Sequence, residues 1–388
     1  MKPIFAALAA VTLVAPCALM PCAHAQPPAK SQNIKPLPSG KAAVEIAFVL
    51  DTTGSMGGLI DGAKAKIWSI VNDIASAKPT PNIKIGFVAY RDKGDDYVTQ
   101  VHDLEADLDK AFSTLQTFQA GGGGDTPEHV SKGLAQGVDK LSWSRSNGNS
   151  LYQVIFLVGD CPPHTDYNDG FDYKASAKEA AGRDITVNTV RCGTDAQTEP
   201  IWQNIAALGG GKYFSIAQDG GMTAIPTPYD GKMGALADKL EGSTLAYDAN
   251  SRNRAALSYR ANAALPAASK ADRAEFNAKS SQVYGGFDLA TQYENKQMDG
   301  AKLRDLKKEE LPAEMQKLPP AEREAFLQKK LVERKKAQTE LAALRKQRDA
   351  FLQAEMKKRG EGKQEGFDAL VKATVRQQAA RRGLRFTN

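Results

Sequence analysis

Histidine and the common catalytic motifs are scarce in this sequence. Only four histidines occur in 388 residues, and those after the N-terminal segment are far apart, so a zinc centre built from three histidines is not expected. The patterns GxSxG, HExxH and GxxxxGK followed by Ser or Thr do not occur. A nucleophile elbow, a zincin and a P-loop therefore lack support, which favours a binding protein over an enzyme.

Apolar runs long enough to span a membrane are also missing. The first residues combine a lysine, an apolar run interrupted by Pro16 and Pro21, and the sequence Ala23-His24-Ala25. This is the pattern of a bacterial secretory signal peptide rather than of a transmembrane helix. We therefore expect residues 1–25 to be cleaved and the protein to reach the periplasm or the cell surface.

Positive charge is unevenly distributed along the chain. The net charge is +6, and residues 301–388 contain 23 Lys and Arg against 13 Asp and Glu. The plain interpretation of this basic segment is a solvated helix face. The alternative is a surface that binds anionic lipid or cell-wall polymer. Nucleic acid is not expected as a partner, because the chain is predicted to be exported.

The segment 43–245 alternates short apolar runs with helical patterns, after a Pro- and Ser-rich stretch (26–42) that predicts a flexible linker. Its strands are apolar on both faces, as strands covered by helices on each side must be. This pattern predicts an α/β fold with a doubly wound, Rossmann-like, mostly parallel sheet of six strands. One strand follows its neighbour too closely for a crossover helix, so it is predicted to be antiparallel at a sheet edge.

The remainder of the chain has a different composition. Residues 246–300 are predicted as a linker or irregular segment, and residues 301–388 as a basic helical region. The run 321–359 contains no Gly or Pro and predicts one long helix. A helical hairpin with residues 366–382 is favoured over a long coiled coil, since Arg334 and Arg348 interrupt the apolar stripe.

Polar loops follow the strands of the predicted sheet. Asp51, Thr53 and Ser55 come directly after the first strand, and Asp160 ends the fourth main strand. Ligands of open parallel sheets bind at the carboxyl ends of the strands. One carboxylate and two hydroxyls spaced by two residues can face a single point, and Mg²⁺ prefers such oxygen ligands. The alternative is that these polar groups only cap helices.

These segments, together with the loop 121–128, resemble the metal-ion-dependent adhesion site (MIDAS) of von Willebrand factor A (vWA) domains, including those of integrins. The resemblance is carried by DTTGSM, GGGGDTPE and LVGD and covers roughly residues 43–245. It implies that Asp51, Thr53, Ser55 and Asp160 bind one divalent cation. Mg²⁺ is expected first, with Mn²⁺ or Ca²⁺ as alternatives.

The resemblance leaves two candidates for the ligand from the middle loop. Many vWA domains place a threonine there, which corresponds to Thr126. The order Asp125-Thr126-Pro127-Glu128 is similar to integrin β-subunits, whose glutamate reaches the metal, and it favours Glu128. The second, adjacent metal site of those subunits is not expected, since Gly57 and Gly58 stand where they have acidic residues.

The family's strand order also bears on the cysteines. Cys161 and Cys192 end strands that are neighbours in vWA domains, so the resemblance implies a disulfide between them, with two free thiols as the alternative. Neighbouring strands are close enough for such a bond. The charged residues Arg91-Asp92 and Asp95-Asp96 are interpreted as a solvated cluster, and His164 as a surface hydrogen-bonding group.

Three functions remain open at this point. The favoured one is an exported, metal-dependent protein-binding module of the adhesion type, in which an acidic side chain of an unknown partner protein completes the metal coordination. The alternative is a structural envelope protein held by its basic tail, with the metal only stabilising the fold. A metal-assisted hydrolase is the third, but no general base can be named apart from the metal ligands themselves.

Overall fold

The described part of the chain excludes the N-terminal segment. The computed structural model describes residues 42–145, 150–222, 225–280, 282–359 and 366–386. The predicted signal peptide, and all but the last residue of the predicted linker that follows it, lie outside the described residues. Among the helices that are described, none is both long and apolar enough to cross a membrane.

A mostly parallel sheet of six strands organises the fold. The strands of the described chain are β1 (Ala43–Asp51), β2 (Ala77–Lys78), β3 (Asn82–Tyr90), β4 (Thr99–Glu105), β5 (Leu151–Gly159), β6 (Ile185–Cys192), β7 (Gly210–Ile216) and β8 (Arg385–Phe386). The sheet order is β4-β3-β1-β5-β6-β7, and only the β3–β4 pair is antiparallel. The predicted sheet, including its reversed edge strand, is confirmed.

Helices surround this sheet and continue beyond it. Those of the described chain are α1 (Gly57–Ile74), α2 (Leu108–Thr117), α3 (Val130–Asp139), α4 (Tyr173–Gly182), α5 (Thr198–Leu208), α6 (Asp230–Gly242), α7 (Ala249–Ala263), α8 (Ala267–Lys279), α9 (Leu289–Glu294), α10 (Gly300–Asp305), α11 (Arg323–Arg359) and α12 (Phe367–Ala380). The predicted helical C-terminal region is therefore confirmed.

Helices on both faces explain why the central strands are apolar throughout. Along β1, Val44, Ile46 and Phe48 pack into a core with residues of α1, α2 and α12, whereas Ala47 and Val49 pack into a second core with α3, α4 and α5. Successive side chains of a strand point to opposite faces. Because both faces are covered, every residue of β1 is buried.

The C-terminal helix α12 is part of the core of the sheet. Its first residue, Phe367, places its ring 6.0 Å from that of Phe48 on β1. Val371 and Val375 follow at helical spacing and are fully buried. The apolar stripe of α12 therefore fills the space between α1 and the sheet.

The predicted hairpin of the two C-terminal helices is wrong. The structure packs α12 on α1 and packs α11 on α6 and α8. Arg376 of α12 donates to Asp73 of α1 at 2.9 Å, and the chain then adds β8 antiparallel to β2. Residue 245 consequently does not end the sheet domain, because α12 completes its core.

Residues 246–300 are not an irregular linker, because they form α7, α8 and α9. The long helix α11 packs against α6, α8 and α9. Arg334 of α11 lies 2.5 Å from Asp288, and Arg348 lies 2.7 Å from Asp230. The arginines that interrupt the apolar stripe thus pair with the chain's own carboxylates, and α11 packs as one layer of this fold rather than as a coiled coil.

Candidate metal centre

Three polar loops meet at the carboxyl edge of the sheet. The loop after β1 carries Asp51, Thr53 and Ser55, the loop 121–128 precedes α3, and the loop after β5 begins with Asp160. β1 and β5 are direct neighbours in the sheet. A Cβ atom added at Gly123 would lie 3.3 Å from Thr53 Cβ and 3.4 Å from Glu128 Oε1. The middle loop therefore lies against the loop that follows β1.

The turn after β1 holds its side chains in a fixed arrangement. The backbone N–H and the hydroxyl of Thr53 both donate to Asp51 Oδ1, at 2.8 and 2.6 Å. Ser55 Oγ lies 3.4 Å from Thr53 Oγ1. One oxygen of Asp51 is thereby fixed within the turn, and the carboxylate is oriented for its second oxygen to bind elsewhere.

One carboxylate oxygen of each of three acidic residues is buried without a hydrogen-bond partner. The three atoms are Asp51 Oδ2, Glu128 Oε2 and Asp160 Oδ1. Buried polar atoms without partners are rare, and each one calls for an explanation. Carboxylates and hydroxyls are the donors that a hard divalent cation prefers. These residues therefore fit a metal ion of that class.

The protonation of two of these carboxyl groups, Asp51 and Glu128, is strongly perturbed. Burial raises the pKa of Asp51 from 3.8 to about 7, and the negative charge of Asp160 contributes to the rise. Burial, followed by the charge of Asp51, raises the pKa of Glu128 from 4.5 to about 9. Like charges held together without a counter-ion favour the protonated form. A bound cation would reverse this effect.

The two candidates for the middle ligand differ in position. Glu128 is 1% exposed, whereas Thr126 lies on the exposed rim of the loop. Backbone hydrogen bonds anchor Glu128 to the loop after β5, because its N–H donates to Pro162 O and its carbonyl accepts from His164 N. The structure buries Glu128 close enough for the charge of Asp51 to raise its pKa, and leaves Thr126 at the surface.

Glycines allow the middle loop to approach the turn. Gly122 and Gly123 have φ values of +77° and +85°, which residues with a Cβ atom rarely adopt. A Cβ atom at Gly122 would also lie 2.3 Å from Asp95 Oδ1. Gly122 and Gly123 are thus explained by backbone conformation and close packing, and the loop that contains them presents Glu128 to the site.

Gln218, in the loop after β7, contacts the site from a fourth segment. Its Nε2 donates to Asp160 Oδ2 at 2.6 Å and to the carbonyl oxygen of Ser55 at 3.3 Å. The first bond satisfies one oxygen of Asp160 and leaves the other without a partner. Sequence reasoning missed Gln218, because a single loop glutamine carries no pattern.

Two of the charged residues after β3 were also misinterpreted. Arg91 and Asp92 are 6% and 4% exposed, so they are not solvated, whereas the Asp96 side chain is 93% exposed. Arg91 donates to the carbonyl oxygens of Thr52 and Gln119, at 3.1 and 2.9 Å, and so ties the first two loops together. Their position directly after a buried strand, at the same sheet edge as Asp51, was the signal that could have identified them.

The sequence of this region matches a known family. Residues 45–225 match the family model described as the von Willebrand factor A domain. Residues 45–225 are a vWA domain. The matched segment contains the loops of the candidate metal centre and Gln218. Helix α12, which completes the core of the sheet, lies outside the matched segment.

A viral protein is similar to part of this chain. A putative ariadne-like RING finger protein of Acanthamoeba polyphaga mimivirus is 28% identical over 145 residues, which are 37% of this chain and 13% of that protein. The chain therefore matches only about an eighth of its relative's length.

Two solved structures are similar to slightly less than half of this chain. Proximal thread matrix protein 1 from the mussel byssus, solved with zinc occupying its MIDAS motif, is 15% identical, with a TM-score of 0.35, over 46% of this chain and 43% of that chain. The SpRpn10 VWA domain is 16% identical, with a TM-score of 0.34, over 46% of this chain and 89% of that chain. Each likeness covers less than half of this chain.

The predicted disulfide of the vWA domain is not formed. Cys161 and Cys192 are both free thiols. The β5–β6 register pairs Gly159 with Arg191, so its continuation brings Asp160, rather than Cys161, beside Cys192. Consecutive residues of a strand point to opposite faces. An offset of one residue therefore directs the two sulfur atoms away from each other.

Proposed function

We propose that this vWA domain binds one divalent cation through Asp51, Thr53, Ser55, Glu128 and Asp160 and uses it to bind a partner protein. The observation that carries the proposal is the set of three buried carboxylate oxygens without hydrogen-bond partners. The all-oxygen donor set favours Mg²⁺, with Mn²⁺ or Ca²⁺ as alternatives. Glu128 is preferred to Thr126 as the middle ligand because it is buried beside Asp51.

The surface around the site supports binding of a partner. The carboxylates are buried, whereas Ser55 and residues 122–126 are exposed. A ligand can therefore approach from the side of the hydroxyl groups. An acidic side chain of the partner would complete the coordination of the cation, which makes the interaction dependent on metal.

Calorimetric titration with Mg²⁺ and Mn²⁺ tests the metal site. Binding is expected in the wild type and in Thr126→Ala, and is expected to be lost in Asp51→Asn and Glu128→Gln. These substitutions keep the shapes of the side chains, and circular dichroism checks that the variants fold. Loss of binding in Thr126→Ala, with retention in Glu128→Gln, would reverse the assignment of the middle ligand.

Affinity capture from a cell-envelope extract tests partner binding. The wild-type protein is expected to capture a partner protein in the presence of Mg²⁺. Capture of that partner is expected to be lost in EDTA and in Asp51→Asn. Capture that is unchanged by both treatments would contradict a metal-dependent interaction.

Export to the periplasm or cell surface is part of the proposal and rests on the N-terminal sequence pattern. Cell fractionation, followed by mass spectrometry of the N-terminus, is expected to find the protein outside the cytoplasm, beginning at Gln26. An intact N-terminus in the cytoplasmic fraction would overturn this part alone.

The alternative, a structural protein held by a basic tail, receives less support. Arg334, Arg348 and Arg376 pair with carboxylates of the same chain, so part of the positive charge is neutralised internally. Truncation would remove α12 from the core and is not a useful test. Replacement of the exposed lysines of α11 by glutamine is expected to leave envelope association unchanged. The lysines are Lys329, Lys335, Lys336, Lys346, Lys357 and Lys358.

A further inference from the structure

A second group of metal-binding side chains lies beside the proposed site. Asp92 follows β3, Asp125 belongs to the middle loop, and His164 lies in the loop after β5. One potential ligand atom of each residue lies within 4.8 Å of the other two. None of the three is among the ligands proposed for the first site.

The distances within this group match those between ligands of a tetrahedral zinc ion. His164 Nε2 lies 3.4 Å from Asp92 Oδ2 and 3.5 Å from Asp125 Oδ2. Ligand atoms bound to zinc at about 2.1 Å in a tetrahedron are separated by about 3.4 Å. The three atoms can therefore bind one ion without moving far.

Two of the three side chains are buried and incompletely satisfied. The His164 side chain is 9% exposed and Asp92 is 4% exposed. Neither His164 Nε2 nor Asp92 Oδ1 has a hydrogen-bond partner. Asp125 is exposed over 60% of its side chain, so the group opens to solvent on that side and an ion can enter.

Neighbouring residues orient the imidazole for metal binding. His164 Nδ1 lies 2.8 Å from Asp166 Oδ1. Because a carboxylate accepts, Nδ1 donates in this contact, and Nε2 is the ring nitrogen that faces Asp92 and Asp125. A histidine that donates its other N–H to a carboxylate is the usual arrangement around protein-bound metals.

Tyr167 further restricts the two buried ligands. Its ring stacks on that of His164 with the centroids 4.0 Å apart. Its hydroxyl donates to Asp92 Oδ2 at 2.6 Å, and this oxygen keeps a lone pair for a metal. One tyrosine thus holds both the imidazole and the carboxylate in place.

We propose that Asp92, Asp125 and His164 bind a zinc ion, with water in the fourth position. An imidazole nitrogen beside two carboxylates suits zinc better than Mg²⁺, which prefers oxygen ligands only. The backbone N–H of His164 donates to the carbonyl of Glu128. The zinc site therefore stabilises the loop that carries the middle ligand of the first site.

Titration of the full-length chain with Zn²⁺ in excess Mg²⁺ tests this proposal. One zinc per chain is expected in the wild type, and also in Asp51→Asn, which disables the first site. Binding is expected to be lost in His164→Ala and retained in His102→Ala, which removes a histidine from β4 instead. Asp166→Asn is expected to weaken zinc binding roughly 10- to 100-fold.

The variants also separate this site from the first one. Zinc binding that is lost in Asp51→Asn but unchanged in His164→Ala would assign the ion to the first site and overturn the proposal. Circular dichroism in EDTA checks that His164→Ala folds. If it does not fold, Asp125→Ala at the exposed edge replaces it, and unchanged zinc affinity in that variant would equally overturn the proposal.

Discussion

Buried charged side chains form ion pairs in the helical layer, whereas at the carboxyl edge of the sheet they lack a full set of partners. In the helical layer, Arg273 is 1% exposed and lies 2.8 Å from Asp109 and 2.5 Å from Glu241. At the sheet edge, Asp51 and Glu128 are as deeply buried, but each leaves an oxygen without a partner. Paired charges maintain the fold, whereas charges left without partners mark the place where a ligand is expected.

Removal of a paired charge is expected to have the largest effect. Arg273→Ala leaves Asp109 and Glu241 buried without their cation, and should lower the free energy of unfolding by about 3–5 kcal/mol. Urea denaturation measures the loss. The control is Lys232→Ala, whose pair with Glu340 lies at the surface and should contribute less than about 1 kcal/mol. Equal losses in both variants would remove the distinction between the two classes of charge.

Removal of a buried charge that lacks a full set of hydrogen-bond partners is expected to stabilise the metal-free protein. Glu128→Gln should raise the free energy of unfolding of the metal-free protein by roughly 1–3 kcal/mol at high pH, because residue 128 then carries no buried negative charge. The same variant should lose the stabilisation that Mg²⁺ gives the wild type. A destabilised metal-free variant would show that Glu128 has a structural role.

The pH dependence of the metal-free protein follows from the same groups. The pKa of Asp51 rises from 3.8 to about 7 on folding, and that of Glu128 from 4.5 to about 9. The folded state therefore binds more protons, and the stability that these groups contribute is present below pH 4 and lost as pH rises through 7 and 9. Urea denaturation in EDTA from pH 5 to 9 should show the decline, and Glu128→Gln should remove its upper part. Stability that rises over this range in the wild type would contradict both shifts.

Disturbance of the middle loop should have a smaller effect. Gly123→Ala adds a Cβ atom at φ +85°, close to Thr53 and Glu128, and should destabilise the protein by roughly 1–2 kcal/mol while weakening Mg²⁺ binding. Gly124→Ala is the control, because nothing lies within 4 Å of its added Cβ atom. Thermal unfolding and calorimetry compare the two, and equal behaviour would refute the packing argument.

The smallest effect is expected at Gln218. Gln218→Ala removes the donor to Asp160 and should change the free energy of unfolding by about 0.5–1.5 kcal/mol, with weaker Mg²⁺ binding because Asp160 is less well oriented. Gln203→Ala breaks only an exposed contact with Glu199. If both variants bind Mg²⁺ equally, Gln218 has no part in the site.

Local sequence patterns were sufficient to predict the sheet and the positions of most residues of the candidate site. The apolar runs of β1 and β5 predicted strands covered on both faces, and parallel strands end at one edge, so Asp51 and Asp160 were predicted to lie close together. The pattern of the middle loop also favoured Glu128, whose burial beside Asp51 supports that choice. The prediction of the sheet succeeded because strand periodicity depends on residues adjacent in sequence, whereas the assignment of Glu128 and the other site residues as metal ligands stays a prediction.

Most of the errors concern contacts between distant segments; the prediction of residues 246–300 as irregular is the exception, because these residues form α7, α8 and α9. The hairpin of α11 and α12, the disulfide of Cys161 and Cys192, and the solvated cluster after β3 each depended on strand register or helix packing. A shift of one residue moves a side chain to the opposite face of a strand, which composition does not record.

By itself, the sequence determined the α/β fold and the position of the polar loops at the carboxyl edge of the sheet, because strand periodicity and loop chemistry are local properties. Only the tertiary structure decided that α12 completes the core of the sheet, that Gln218 donates to Asp160, and that Asp92, Asp125 and His164 converge. The physical reason is that each of these contacts joins segments far apart in the chain, whose proximity results from packing rather than from any local pattern.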